Sequence, residues 1–197
     1  MCQPQTVDFV ARIRALMDSY PVKKTTLGEV IAGPRGGGGS MEIASSYIDP
    51  QRGLDMCYTD ATFAFNYYSD PAHLKEHIRY IEKVFPTGGH CYSISNHDSY
   101  RSASTLVGHL PAAQRTPALK QMMRVLVSLP GSVSLYQGEE LGLPQASIPQ
   151  DIPHDRLRDP VSVTRGPHAS RDGSRTPIPW HDEGSHAGFS HADEAYL

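Results

Sequence analysis

Four segments of helical length alternate with four short β-rich runs, and this alternation restricts the fold more than any other feature of the chain. Residues 4–19 place Val7, Val10, Ile13, Leu16 and Met17 near helical spacing, with Arg12, Arg14 and Asp18 outside the stripe and Pro21 as a stop. "TTLGEVI" (25–31) reads as a strand and "MEIASSYI" (41–48) as a short helix. "LDMCY" (54–58) is a second strand candidate. Residues 70–85 open with Asp-Pro, a helix-starting pair, and carry Leu74, His77, Ile78, Ile81 and Val84 on one side. "CYSIS" (91–95) is a third strand, residues 111–129 a long helix with Pro117 near its start, and "SVSLY" (132–136) a fourth strand. Strands separated by helices predict parallel βαβ units, hence an α/β fold. In such folds function gathers where strands end. That selects Glu29, Asp55 to Tyr58, Asn96-His97-Asp98 and Gln137-Gly138-Glu139-Glu140.

The bulk properties narrow the setting. The 197 residues carry a net charge of −3 with both signs dispersed, and no basic stripe points to nucleic acid or an anionic membrane. Cys2, Cys57 and Cys91 are far apart and odd in number, which fits reduced thiols rather than a disulfide frame. No apolar run approaches membrane-spanning length, and the first residues show no secretory apolar region. The expected setting is cytoplasmic. After residue 140 periodicity fades, and His154, His168, His181, His186 and His191 fall in a loop-like stretch. A segment of that length without elements fits a loop over an active site, or one cut off before its next helix.

Each motif has a bland reading beside a functional one. Glu29 ends an otherwise apolar strand, where a carboxylate must be solvated, paired or functional. Asn96-His97-Asp98 is either a structural hydrogen-bond network or a polyol-recognition cluster, since His donates and accepts while Asp accepts twice. With Glu29 it would supply the pair of carboxylates that acid/base work on a glycosidic bond requires. "GPRGGGGS" lacks the Lys-Ser/Thr ending of a phosphate loop and reads as a flexible loop. The late histidines lack metal spacing, so no metal is assigned. The Gly-Glu-Glu after the fourth strand reads as a helix cap, and Trp180 as a packing anchor rather than a sugar platform.

Together these pieces resemble the α-amylase superfamily, in particular its α-glucosidase / oligo-1,6-glucosidase branch. "TVDFVARIRALMDSYPVKKTTLGEV" is similar to the helix and fifth barrel strand that deliver the general acid. "SISNHDSYRSAS" resembles the seventh-strand motif. "VLVSLPGSVSLYQGEELGLP" resembles the eighth strand and its turn, and "RDPVSVTRGPHASRDGSRTPIPWHDEGSHAGFS" the loop beyond it. The resemblance implies a partial (β/α)8 TIM barrel, strands 5 to 8 with their helices, in which residues 1–140 form βα units and 141–197 a loop-rich active-site segment, with no complete domain. It implies Glu29 as general acid/base, Asp98 as the carboxylate stabilising the transition state, and His97 and Arg171 as sugar ligands. The substrate would be an oligosaccharide or disaccharide; no cofactor is implied, and oligomeric state is open.

A retaining enzyme of this family also needs a nucleophilic Asp inside Gly-x-Arg-x-Asp, and no such segment occurs in the 197 residues. The expectation is the second half of a barrel, inactive alone, with an open sheet edge and an uncovered apolar face that favour aggregation. A transglucosylase, sucrose hydrolase or trehalose-converting enzyme would share the site. A non-catalytic carbohydrate-binding or interaction protein would keep the fold without turnover.

Overall fold

A computed structural model of the chain describes residues 3–30, 40–58 and 70–192. Ile31 and the Gly-rich run after it lie outside these residues. The described chain folds in the expected order: α1 (Pro4–Asp18), β1 (Leu27–Gly28), α2 (Ser40–Ser45), β2 (Met56–Tyr58), α3 (Pro71–Val84), β3 (His90–Tyr92), α4 (Ser102–Thr105), α5 (Ala112–Ser128), β4 (Ser132–Val133) and α6 (Pro160–Arg165).

The four strands form one parallel sheet in the order β1-β2-β3-β4. Leu27 pairs with Met56, Cys57 with His90, and Cys91 with Ser132. Sequential parallel neighbours joined through helices are what the alternation predicts. The strands are shorter than expected. β3 stops at Tyr92, although Ser93, Ile94 and Ser95 stay buried. Beyond it the backbone turns: the Asn96 amide donates to Ser99 Oγ at 2.9 Å, and the Asp98 amide to Asn96 Oδ1 at 2.8 Å. Side chains have taken over backbone groups that a ladder would otherwise use.

α3 follows its sequence pattern closely. Asp70 caps it by accepting from the Ala72 amide at 2.9 Å, and Pro71 occupies the first turn. Ile81 is fully buried, and Leu74, His77, Ile78 and Val84 are half-buried along the same stripe. Burial lowers the His77 pKa. α1 departs from its pattern. Val10 is buried, but Val7 and Leu16 are exposed, and Arg14, expected outside the stripe, is only 3 % exposed. Arg14 Nη1 donates to Asp55 Oδ2 at 2.7 Å, and Nη2 pairs with Asp18 at 2.6 Å. A buried cation with two acidic partners replaces the apolar contact that periodicity alone suggests.

The chain forms two compact units that do not divide at residue 140: residues 1–94 with 122–134, and residues 95–121 with 135–197. The first contains the whole sheet and a core of Met41, Ala44, Cys57, Ile81, Phe85, Cys91 and Leu126. The second mixes Ala103, Val107, Leu157 and Ile178 with buried Arg101, Asp159, Ser162, Asp172 and Ser174. Among the described residues, no helix is long and apolar enough to cross a membrane.

Candidate active site

His97, Asp98 and Arg171 come together in the second unit. Arg171 Nη1 donates to Asp98 Oδ1 at 2.6 Å, and Arg175 Nη2 donates to the same oxygen at 2.7 Å. His97 Nε2 stands 3.4 Å from it. Two guanidinium groups thus converge on one carboxylate oxygen. The Asp98 side chain remains 38 % exposed and His97 51 %, so both are reachable from solvent. Asn96 is different. Its side chain accepts the Asp98 amide, and its carbonyl accepts the Ser99 amide at 3.3 Å. The polar triplet therefore divides: Asn96 shapes the turn, while His97 and Asp98 project from it.

The Arg-Asp-Gly-Ser-Arg run is built to deliver its two arginines. A short 3₁₀ turn over Asp172–Ser174 sits between them. Ser174 Oγ donates to the Arg171 carbonyl at 2.8 Å, and the Arg175 amide donates to the Asp172 carbonyl at 2.9 Å. Arg175 Nε donates to the His97 carbonyl at 2.8 Å, which ties the run to the turn bearing Asp98. Tyr136 donates its hydroxyl to the Ser174 carbonyl at 2.9 Å. Behind Arg171 lies Asp159, fully buried, whose Oδ1 accepts Nη2 at 2.6 Å and whose Oδ2 accepts Nε at 2.9 Å. Hydrogen bonds from Arg171 hold the Asp159 carboxyl far below the ordinary carboxylate range, and this partnership raises the Arg171 pKa.

Glu29 lies directly after β1, in the first unit, and is exposed. Asp55 proves not to be a strand-end residue. It precedes β2, so it sits at the amino end of the strand. There its Oδ2 accepts from the Thr26 amide and the Thr26 hydroxyl, each at 2.8 Å, as well as from Arg14. Those bonds offset the burial that works against its charge, and its pKa falls. Conserving charge in a clamp between α1 and the starts of β1 and β2 is a structural task, not a chemical one.

Two further expectations are corrected. Glu139 does not cap a helix. It is buried, accepts from Ser95 Oγ, and accepts from the Tyr136 amide at 3.0 Å; burial raises its pKa, with these bonds opposing. Trp180 is not packed away but 66 % exposed. Sequence reasoning missed Arg101, Asp159 and Arg175. Arg101 is buried, donates Nη1 to the Gln137 carbonyl at 2.9 Å, and stacks over the Tyr136 ring at 5.2 Å. Asp159 had a signal in the repetition of Arg-Asp in "RDPVSVTRGPHASRDGSR", because a buried aspartate needs a cation.

The family model described as "Alpha amylase, catalytic domain" matches residues 1–197. The "Probable alpha-glucosidase" of Rhizobium meliloti (strain 1021) is 32 % identical, over 90 % of this chain and 30 % of its own length. Maltase A1 of Drosophila melanogaster is 28 % identical, over 98 % of this chain and 32 % of its own. Among solved structures, the alpha-glucosyl transfer enzyme XgtA superposes with a TM-score of 0.73 at 37 % identity, covering 95 % of this chain and 32 % of XgtA. Isomaltulose synthase from Erwinia rhapontici NX5 shares the fold, with a TM-score of 0.71 at 19 % identity. The chain spans about a third of the length of these relatives. Its parallel sheet and helices are part of a (β/α)8 barrel, and the chain belongs to the α-amylase catalytic-domain family.

Proposed function

We propose that the chain carries the acid/base and transition-state-stabilising side of a retaining α-glucosidase site, with its four strands equivalent to strands 5 to 8 of the barrel. The substrate class is oligosaccharides or disaccharides with a terminal α-glucosidic bond. Glu29 protonates the leaving glycosidic oxygen as the bond to the anomeric carbon breaks, then takes the proton from the attacking water. Asp98 accepts hydrogen bonds from ring hydroxyls, which tighten as positive charge develops on the sugar. His97 adds a hydroxyl ligand, and Arg171 helps hold the non-reducing-end sugar. The nucleophile of the retaining reaction has no counterpart among the 197 residues, so the isolated chain should not turn sugar over.

The observation that carries this reading is the fixed Asp98 carboxylate, held on one oxygen by Arg171 at 2.6 Å and Arg175 at 2.7 Å while still open to solvent. Titration calorimetry with maltose tests it. Heat of binding that weakens at least tenfold in Asp98→Asn supports the reading; equal affinity in parent and variant removes it. In parallel, p-nitrophenyl α-glucoside should not be cleaved above a Glu29→Gln control.

Transfer to a sugar acceptor is a second reading, favoured by the 37 % identity to XgtA, an alpha-glucosyl transfer enzyme. The same acid and the same stabilising carboxylate serve both outcomes. In a polypeptide that supplies the nucleophile as well, product analysis separates them: free glucose marks hydrolysis, and longer or isomerised saccharides mark transfer.

A further inference from the structure

Asp159 is fully buried. Its two oxygens accept four donors: the Arg171 amide at 2.7 Å, Nε at 2.9 Å, Nη2 at 2.6 Å, and the Val161 amide at 3.0 Å. A carboxylate has about four acceptor positions, so Asp159 has no capacity left for a ligand. Three of the four donors belong to one residue. Arg171 is therefore gripped by its backbone and its side chain at once, by a single carboxylate. The remaining nitrogen, Nη1, is the one that reaches Asp98.

We propose that Asp159 is a positioning residue for this site: it locks the guanidinium of Arg171 so that Nη1 is presented to Asp98 in one fixed orientation. Its own place is set by the fold. Asp159 caps α6 through the Val161 amide, and Ser162 Oγ donates back to the Asp159 carbonyl at 2.7 Å. Order thus runs from the first turn of α6 to Asp159, to Arg171, to Asp98. The planar fork of Arg suits this relay, because two edges can be fixed while the third nitrogen still donates. Arg171 is then principally a brace for Asp98, with only its spare N–H groups left for a sugar. Asp98's sugar role comes from the proposed function; the brace itself does not depend on it.

The test is the guanidinium NMR signature of Arg171 in the 197-residue chain labelled with ¹⁵N-arginine, in solution or by magic-angle spinning of the sedimented protein. Hindered rotation should give Arg171 resolved Hη signals at neutral pH. In Asp159→Asn, which keeps an N-cap acceptor, those signals should collapse with at least a tenfold faster exchange while the backbone amide spectrum is retained. Unchanged Arg171 signals in that variant would overturn the proposal. Should Asp159→Asn fail to fold, Asp98→Asn decides, because Asp98 is partly exposed: persistence of the resolved signals supports Asp159 as the clamp, and their loss overturns it. Maltose calorimetry on the same samples separates the two ideas. The NMR signature without sugar binding leaves the positioning role standing and removes the glycosidase reading.

Discussion

Arg171 Nη1 and Asp98 Oδ1 meet at 2.6 Å, although 73 residues of chain separate them. The two partners face different energetics. Asp98 is partly exposed, so its ion pairs are screened, and Asp98→Asn should cost less than about 1 kcal/mol. Arg171→Ala leaves Asp159 buried and unpaired, and should cost on the order of 3 kcal/mol. Urea midpoints of the two variants check the contrast. Equal losses would mean that Asp159 finds another partner.

Asp159 also sets an acid limit. Its folded-state pKa is depressed, so its stabilisation is present above the unfolded carboxylate value of about 4. It is lost as pH falls further, through the folded value. Stability measured from pH 5 downward should drop steeply in the parent and less so in Asp159→Asn, which starts lower.

Glu139 works in the opposite sense. Burial raises its folded pKa, so the unfolded chain releases this proton first. Its contribution is most favourable below about pH 4.3 and declines as pH rises through the raised value. Glu139→Gln should remove that decline. The parent-to-variant difference in urea midpoint, followed from pH 4 to 7, should therefore move in favour of the variant.

Gly138 is held at φ +98°, and a Cβ there would meet Arg101 Nη1 at 2.5 Å and Leu143 Cδ1 at 2.8 Å. Gly138→Ala should cost about 1–3 kcal/mol from the backbone alone. It should also push Arg101 off the Gln137 carbonyl. Thermal unfolding reports the loss, and a shift of the Tyr136 ring signals reports the displaced guanidinium.

In the first unit, Asp55→Asn should lower the urea midpoint more than Asp18→Asn. Asp55 alone joins Thr26 and Arg14, whereas Asp18 is largely exposed.

What the sequence made legible follows from range. α3 could be read because an Asp-Pro cap and a helical stripe are local signals. The order of the strands could be read because alternation with helices admits few topologies. His97, Asp98 and Arg171 were singled out by motif, and the structure brings His97 and Arg171 to one oxygen of Asp98. Arg14 was misplaced because its partner, Asp55, lies 41 residues away. No periodicity records such a pair. Asp159 was overlooked for the same reason. Its neighbours in sequence describe a helix start, and only the fold reveals that its carboxylate is spent on Arg171. Strand lengths were overestimated because β-rich composition continues past the point where side chains begin to capture the backbone.

Among the described residues, β1 is an outer strand of two residues, and Glu29 is the next residue along. Gly28 is where the close packing occurs: a Cβ there would run into Leu54 Cδ1. The group proposed for proton transfer thus follows an outer strand of only two residues, the kind of place where local opening is cheapest. Amide exchange around Glu29 should be fast in the isolated polypeptide, and a strand added along β1 would slow it. Pairing along β1 would then govern how firmly the backbone before the proposed acid is held.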